Sequence, residues 1–124
     1  MIIIGSVSLG LLVPNTGFSQ GEPDSVKQGA SIYQEVCSVC HGDAGNGQTW
    51  VSKTLNPPPR NFKDPQVIKT LNREQMFHSI SNGRPGTGMQ PFKSRLSDQE
   101  IESVIDFIRS TFMKIDIRTE KKKD

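Results

Sequence analysis

Two cysteines and a histidine are concentrated in one short stretch of the chain, "EVCSVCHGDAGNG". Cys37 and Cys40 are the only cysteines, and His41, one of two histidines, follows directly. Three kinds of chemistry use these residue types at this spacing: covalent attachment of a haem, coordination of a zinc ion, and a redox-active dithiol. If residues 37–41 are helical, the three side chains share one helix face, because they are three and four residues apart.

The rest of the chain favours the haem, for which Cys-x-x-Cys-His is the attachment signal. A structural zinc ion takes four Cys or His ligands. Only His78 is left as a fourth ligand, and the adjacent Cys40 and His41 are poorly placed to bind one tetrahedral ion. A thioredoxin-like dithiol is expected in a βαβ unit, and no segment alternates like a strand. A plain structural disulfide would close too short a loop to remove much chain entropy.

A haem iron bound by one histidine has a second axial position, where methionine, histidine, water or an open site each imply a different function. The candidates are Met76, Met89, Met113 and His78. Met89 lies in "GRPGTGMQPF", whose glycines and prolines let an irregular backbone approach a flat ligand closely. Met76 and Met113 lie on predicted helices, where methionine usually fills a gap in the core. We interpret His78, also helical, as a surface or hydrogen-bonded residue.

Four segments carry helix signals, and long loops join them. The first helix begins near Ser25 and runs into the cysteines, because its apolar residues recur every three or four positions. Asp64 and Asn72 are predicted caps of the second and third helices, and Ser97 with Glu100 forms a predicted capping box for the last. Connecting loops of about 20 residues are unusual in a compact domain unless they are functional. The pattern therefore predicts an all-α fold whose loops wrap a bound group.

The two ends of the chain differ from its middle. Residues 2–13 are an apolar run that is too short to span a bilayer and that fits a secretory signal, although no Lys or Arg precedes it. Small-x-small spacing predicts cleavage after Ser19; otherwise residues 1–19 would remain as an anchor. Either outcome predicts a periplasmic or other extracytoplasmic domain. Residues 20–25 form a polar leader, and residues 114–124 are predicted to be a charged, flexible tail.

Composition excludes some classes of function. The 124 residues suffice for one domain, but only 33% are hydrophobic, so a bound apolar cofactor would help to complete the core. The formal net charge is +2, and five basic and three acidic residues in the tail account for it. Nucleic-acid binding needs a broader basic face. No arrangement of catalytic acid, base or nucleophile is recognisable, so the sequence predicts that the protein is not an enzyme.

Five features of residues 26–113, taken in order, resemble the class I cytochrome c family. Gly29 and Tyr33 resemble the Gly-x-x-x-aromatic pair of its first helix. The stretch "CSVCH" resembles the haem attachment site, "NPPP" the proline segment beside the proximal histidine, and "PGTGM" the methionine loop. The segment "VIDFIRS" resembles the last helix, with Phe107 in the aromatic position. This set in this order is far more specific than the attachment signal alone.

The resemblance implies a role for each matching residue. Cys37 and Cys40 would hold one haem c through thioether bonds, and His41 and Met89 would be its axial ligands. A proline carbonyl, from Pro57 or a neighbour, would accept a hydrogen bond from the ring N–H of His41.

Other residues would position or contact the haem. Trp50 or Arg60 would lie near the propionates, a role for which Arg84 competes. Gly29 would let the first and last helices cross closely, with Tyr33 packed between them. The implied fold is a small all-α cytochrome c fold around one haem, with its N- and C-terminal helices in contact.

The implied function is that of a secreted, single-haem electron carrier that docks weakly and briefly with donor and acceptor proteins. As an alternative, the same domain would be the electron-transfer subunit of a larger periplasmic oxidoreductase. A gas sensor with an open distal position is a third hypothesis, against which Met89 argues. A zinc or dithiol module without haem is the fourth.

Overall fold

The computed structural model describes residues 22–123, and this part of the chain consists of helices and loops without strands. In chain order its elements are α1 (Asp24–Ile32), a π turn (Tyr33–Cys37), α2 (Ser38–His41), a 3-10 turn (Ser52–Thr54), α3 (Pro65–Thr70), α4 (Arg73–Asn82), α5 (Asp98–Phe107), a second π turn (Ile108–Phe112) and α6 (Ile117–Glu120). The all-α prediction is confirmed. The predicted signal or anchor, residues 1–19, lies outside the described residues. Among the helices that are described, none has the length and apolar character needed to cross a membrane.

Side-chain caps set the starts of three helices, as predicted. The carboxylate of Asp64 accepts a backbone N–H from the first turn of α3. Asn72 and Gln75 form a reciprocal capping box at α4, and Ser97 and Glu100 form another at α5. Each cap satisfies N–H groups that have no partner within the helix, which typically contributes about 1 kcal/mol.

Helices α1 and α5 pack against each other, and glycine allows their close approach. A Cβ atom built on Gly29 would lie 1.9 Å from the carbonyl oxygen of Ser103 and 2.9 Å from the Cβ of Phe107. Only a residue without a side chain fits there. The buried ring of Tyr33 has its centroid 5.2 Å from the ring centroids of both Phe107 and Phe112. The predicted crossing of the N- and C-terminal helices is confirmed.

One apolar stripe along α5 and the turn that follows it forms the centre of the core. Its buried side chains are Ile101, Val104, Ile105, Ile108 and Phe112. Burial of each such side chain contributes roughly 1.5–3 kcal/mol. Met76 and Met113 are buried in the same cluster, and His78 is exposed, which confirms the interpretation of all three.

The flexible tail predicted for residues 114–124 is wrong for most of its length. Residues 117–120 form α6, and Ile117 is buried against the rest of the molecule. The Lys121 Nζ lies 2.6 Å from a carboxylate oxygen of Asp106 on α5. The tail packs there because its charges meet opposite charges on α4, on α5 and on the turn after α5, a pairing that no local sequence pattern indicates.

Six charged side chains connect α4, α5 and the tail. We refer to them as the ionic cluster: Arg73, Glu102, Asp106, Arg109, Glu120 and Lys121. Fully buried Asp106 accepts hydrogen bonds from Arg73, at 2.6 Å, and from Lys121. Burial by itself would raise the pKa of Asp106, but bonds from Lys121, Ser25 and Arg73 outweigh it and hold that pKa below its usual value. Every cation of the cluster is therefore paired.

Candidate functional site

The path from α1 into α2 positions the two cysteines and the adjacent histidine. Between the two helices, the N–H of Ser38 bonds the carbonyl of Tyr33, five residues back instead of four. Such π turns are frequent at functional sites. Helix α2 then carries Cys40 and His41, and Cys37 contacts the hydrophobic core. The helical geometry expected for these three residues is present.

Two hydrogen bonds fix the end of α2. The buried hydroxyl of Tyr33 donates to the carbonyl of Gly42 at 2.7 Å. The N–H of Gly47 donates to the carbonyl of His41 at 2.7 Å, so the following loop folds back over the helix end. Since Tyr33 belongs to the core, the orientation of α2 is tied to the packing of α1 against α5.

The imidazole of His41 has one nitrogen bonded and the other available. Its Nδ1 lies 3.3 Å from the carbonyl oxygen of Arg60. A carbonyl only accepts, so Nδ1 carries the proton and Nε2 presents a lone pair. Phe62 stacks on the ring at a centroid distance of 4.7 Å. Burial lowers the pKa of His41, and the bond to Arg60 offsets this only in part. The neutral form that binds metals is therefore favoured.

The carbonyl that orients His41 differs from the prediction. We expected it from Pro57 or a neighbouring proline, and the structure instead uses Arg60, which follows the three prolines. Pro57 itself is exposed and follows a cis peptide bond. The proline ring restricts φ, whereas the direction of a carbonyl also depends on ψ, which the proline run leaves open. The role of Phe62 beside His41 was also missed, since a single aromatic residue in a loop carries no signal of its partner.

Met89 lies in the loop between α4 and α5. Its side chain is half-buried against the same core cluster that Cys37 contacts. Its N–H donates to the Thr87 hydroxyl at 3.1 Å, which fixes the backbone locally. A Cβ on Gly88 would lie 2.7 Å from the side chain of Leu55. The methionine loop therefore packs directly on the loop that follows His41.

The residues present fit a covalently attached haem. The two cysteine sulfurs are not joined to each other, the Nε2 lone pair is available, and Met89 supplies a neutral sulfur. A set of apolar side chains remains only partly buried at the edge of the core and offers surface to a flat apolar group: Val67, Ile68, Phe77, Met89 and Phe92.

The other two chemistries fit less well. Over residues 22–123, no three His, Cys, Asp or Glu side chains converge as a cation site would require. Burial, followed by the neighbouring Cys40, raises the pKa of Cys37 to about 12. Redox-active dithiols depend on the opposite shift, because the thiolate is the reactive form.

Trp50 and Arg60 were predicted to lie near the haem edge. The indole of Trp50 is 79% exposed, and the guanidinium of Arg60 is also exposed. Arg60 touches the site through its backbone, by the bond to His41. The contacts of the two side chains with a haem edge stay predictions.

Comparison with known proteins identifies relatives along most of the chain. A family model described as cytochrome c oxidase, cbb3-type, subunit III, matches residues 24–108. Cytochrome c6 of Petalonia fascia is 29% identical over 89 residues, which cover 72% of this chain and 95% of that protein. The cbb3-type cytochrome c oxidase subunit CcoP of Azospirillum brasilense is 26% identical over 86 residues, 69% of this chain.

The extent of the matches differs among these proteins. This chain spans only 28% of the length of CcoP, so it corresponds to a part of that subunit. Among solved structures, the KustC0563 c-type cytochrome has a TM-score of 0.59 and 28% identity, and the match covers 67% of this chain and 95% of that one.

Proposed function

Because this chain belongs to the class I cytochrome c family and carries one covalently bound haem c, we propose that it is a periplasmic carrier that moves single electrons between redox proteins. The observation that carries the proposal is the state of His41. Its Nδ1–H donates a hydrogen bond to the Arg60 carbonyl, so that the Nε2 lone pair would be available to a metal ion. The haem supplies an iron that changes oxidation state without bonding a substrate.

The residues of the chain would hold this group in one geometry. Cys37 and Cys40 would form the two thioethers, and His41 and Met89 would be the protein ligands of the iron. The bond between Tyr33 and the end of α2, and the stacking of Phe62, keep the imidazole in place. A rigid ligand set suits an electron carrier, because little has to move when the charge changes.

The Met89 assignment is tested by substitution. A neutral methionine sulfur favours ferrous iron and raises the potential relative to a histidine ligand. Met89→Ala should therefore lower the midpoint potential and let the ferrous protein bind carbon monoxide. Met76→Leu is the matched control, because Met76 is buried in the core and should change neither property. An unchanged potential with no carbon monoxide binding would show that Met89 is not the ligand.

Covalent attachment is tested by the pyridine haemochrome spectrum of denatured protein made in a periplasm with haem-attachment machinery. Two saturated vinyl groups are expected in the parent protein. Cys37→Ala and Cys40→Ala should each leave one vinyl group and shift the band. Haem that is lost on denaturation would contradict the thioether bonds.

A second candidate function is that of an electron-transfer domain in a larger periplasmic oxidoreductase. The motivating observation is the likeness to a segment of CcoP, which is named as an oxidase subunit. Purification from the native source at native abundance separates the two: a stable companion protein favours the subunit, and a protein that purifies alone favours the carrier.

A further inference from the structure

Three rings form a stack that begins at His41, the candidate iron ligand. Phe62 lies on the imidazole with the ring centroids 4.7 Å apart and the planes 19° apart. Phe112 stacks on Phe62 in turn, at a centroid distance of 6.4 Å and an angle of 7°. Both phenylalanines are buried, and these distances lie in the range in which aromatic rings attract each other. Phe62 thus connects Phe112 to the imidazole.

The backbone beside the stack makes the same connection a second time. A Cβ atom built on Gly45 would lie 2.5 Å from the ring of Phe112, so the backbone of Gly45 rests directly on that ring. The carbonyl of Gly45 accepts the N–H of Phe62 at 2.8 Å. Phe112 therefore supports both the ring of Phe62 and the backbone to which Phe62 is bonded.

The π turn after α5 brings Phe112 to this place. The N–H of Met113 donates to the carbonyl of Ile108, five residues back, at 3.1 Å. In a regular α-helix, side chains five residues apart point in different directions, because the period is about 3.6 residues. In the wider turn, Phe112 lies beside Phe107 and also beside Tyr33, with centroid distances of 5.2 Å to each. Tyr33 begins the other π turn, so the two turns meet at Phe112, and such turns are frequent at functional sites.

The ionic cluster holds the turn that carries Phe112. Arg109, in the same turn, donates to the carbonyl of Leu71 at 3.0 Å and pairs with Glu120 of the tail. The match to the cytochrome family model ends at residue 108. Phe112 and its anchor therefore lie outside the matched segment, in the part of the chain whose order the sequence did not predict.

We propose that Phe112 is a positioning residue for His41. By supporting Phe62 and the loop backbone, it keeps the imidazole Nδ1–H directed at the Arg60 carbonyl. The inference rests on the proposed electron-transfer function, because its effect is read at the iron. A hydrogen bond from the ring N–H makes a histidine ligand more basic, and a more basic ligand favours ferric iron. Loss of the support should therefore favour the ferrous state.

The replacement Phe112→Leu in the holoprotein tests the proposal at the iron. We expect the equilibrium between the oxidation states to shift by about threefold toward ferrous iron, measured as the midpoint potential. The electron paramagnetic resonance g values of the ferric protein should change as well, because they depend on the orientation of the imidazole plane. Ile105→Val is the matched control, since Ile105 is fully buried on α5 and also loses core packing. Unchanged values in Phe112→Leu, or equal changes in both variants, would overturn the proposal.

A second variant approaches the contact from the loop. The added methyl group of Gly45→Ala presses on the ring of Phe112, so it should also shift the potential and the g values. In urea denaturation, Gly45→Ala should cost less stability when Phe112 is replaced by the smaller leucine. Gly86→Ala is the control, because its φ is also positive and nothing lies within 4 Å of its Cβ position. Its cost should be the same in both backgrounds.

The outcomes separate the proposal from the function on which it rests. Equal costs of Gly45→Ala in the two backgrounds would show that the contact with Phe112 is not made. If Phe112→Leu fails to fold, a parent-like potential and parent-like g values in Gly45→Ala would overturn the proposal. A parent protein without a reversible ferric–ferrous couple would contradict the electron-carrier function itself. A reversible parent whose potential is insensitive to both replacements would overturn only the role of Phe112.

Discussion

The cations of this molecule are used in two opposite ways. In the ionic cluster, Arg73, Arg109 and Lys121 are all bound to carboxylates, and Asp106 is fully buried among them. In the loops between α2 and α3 and between α4 and α5, six exposed cations have no such partner among the described residues: Lys53, Arg60, Lys63, Arg84, Lys93 and Arg95. A paired charge that is buried cannot be removed without leaving its partner desolvated, whereas an exposed charge can be removed at little cost to folding. Lysine and arginine thus stabilise the fold in the ionic cluster, whereas the exposed cations of the loops contribute little to it.

The largest expected effect is at Gly29, where the backbones of α1 and α5 approach each other closely. Gly29→Ala would put a methyl group 1.9 Å from the Ser103 carbonyl, so α1 and α5 must separate. We expect a loss of about 3 kcal/mol in the free energy of unfolding. Gly86→Ala, in the loop between α4 and α5, is the control. Nothing lies within 4 Å of its Cβ position, and its φ of +78° alone should cost about 1 kcal/mol. Urea denaturation measures both, and equal losses would contradict the packing argument.

The next effect is the loss of the buried charge in the ionic cluster. Asp106→Asn keeps the shape of the side chain and leaves Arg73 and Lys121 without their buried carboxylate. Breaking a buried ion pair costs about 3–5 kcal/mol, but Arg73 retains Glu102 and Lys121 is half exposed, so we expect about 2 kcal/mol. Asp98→Asn, on an exposed residue of the same helix, should cost at most about 0.5 kcal/mol. A loss at Asp106 no larger than that at Asp98 would show that the cluster does not stabilise the fold.

The ionic cluster also predicts how the free energy of unfolding depends on pH. Burial would raise the pKa values of Asp106 and Glu120, but bonds from their cationic partners outweigh burial and lower both below the ordinary values of 3.8 and 4.5. A lowered folded pKa stabilises the protein above the ordinary pKa, and this contribution is lost as pH falls through the folded value. Unfolding free energy should therefore decline below about pH 4.

The Asp106→Asn variant is the control for this decline. Its stability should fall less steeply with acid than that of the parent protein, in thermal unfolding measured over a pH series. Parallel curves for the two proteins would contradict the contribution of Asp106.

Local patterns predicted the helices α1, α3, α4 and α5 and indicated the candidate site residues. Asn72 with Gln75, and Ser97 with Glu100, are three residues apart, so their capping boxes form from neighbours in sequence. Cys37, Cys40 and His41 are recognisable as the Cys-x-x-Cys-His motif because they too are neighbours in sequence. Gly29 was identified by resemblance, and the structure supplies the physical cause in the carbonyl of the facing helix.

Features that depend on distant partners were not predicted. The bond from His41 to Arg60 joins residues 19 apart through a carbonyl, a group that every residue possesses. Lys121 pairs with Asp106 across 15 residues, and in sequence both resemble ordinary surface charges. The tail was therefore taken for a free end. Partner choice for charged groups is decided by packing, which composition does not describe.

The smallest expected effect is the most informative about the comparison. The triple loop variant Lys53→Glu, Lys63→Glu and Lys93→Glu should change the free energy of unfolding by at most about 0.5 kcal/mol, because exposed residues without partners contribute little. If urea denaturation instead showed a loss of more than about 1 kcal/mol, these lysines would be holding the loops to the core, and the division between paired and free cations would fail.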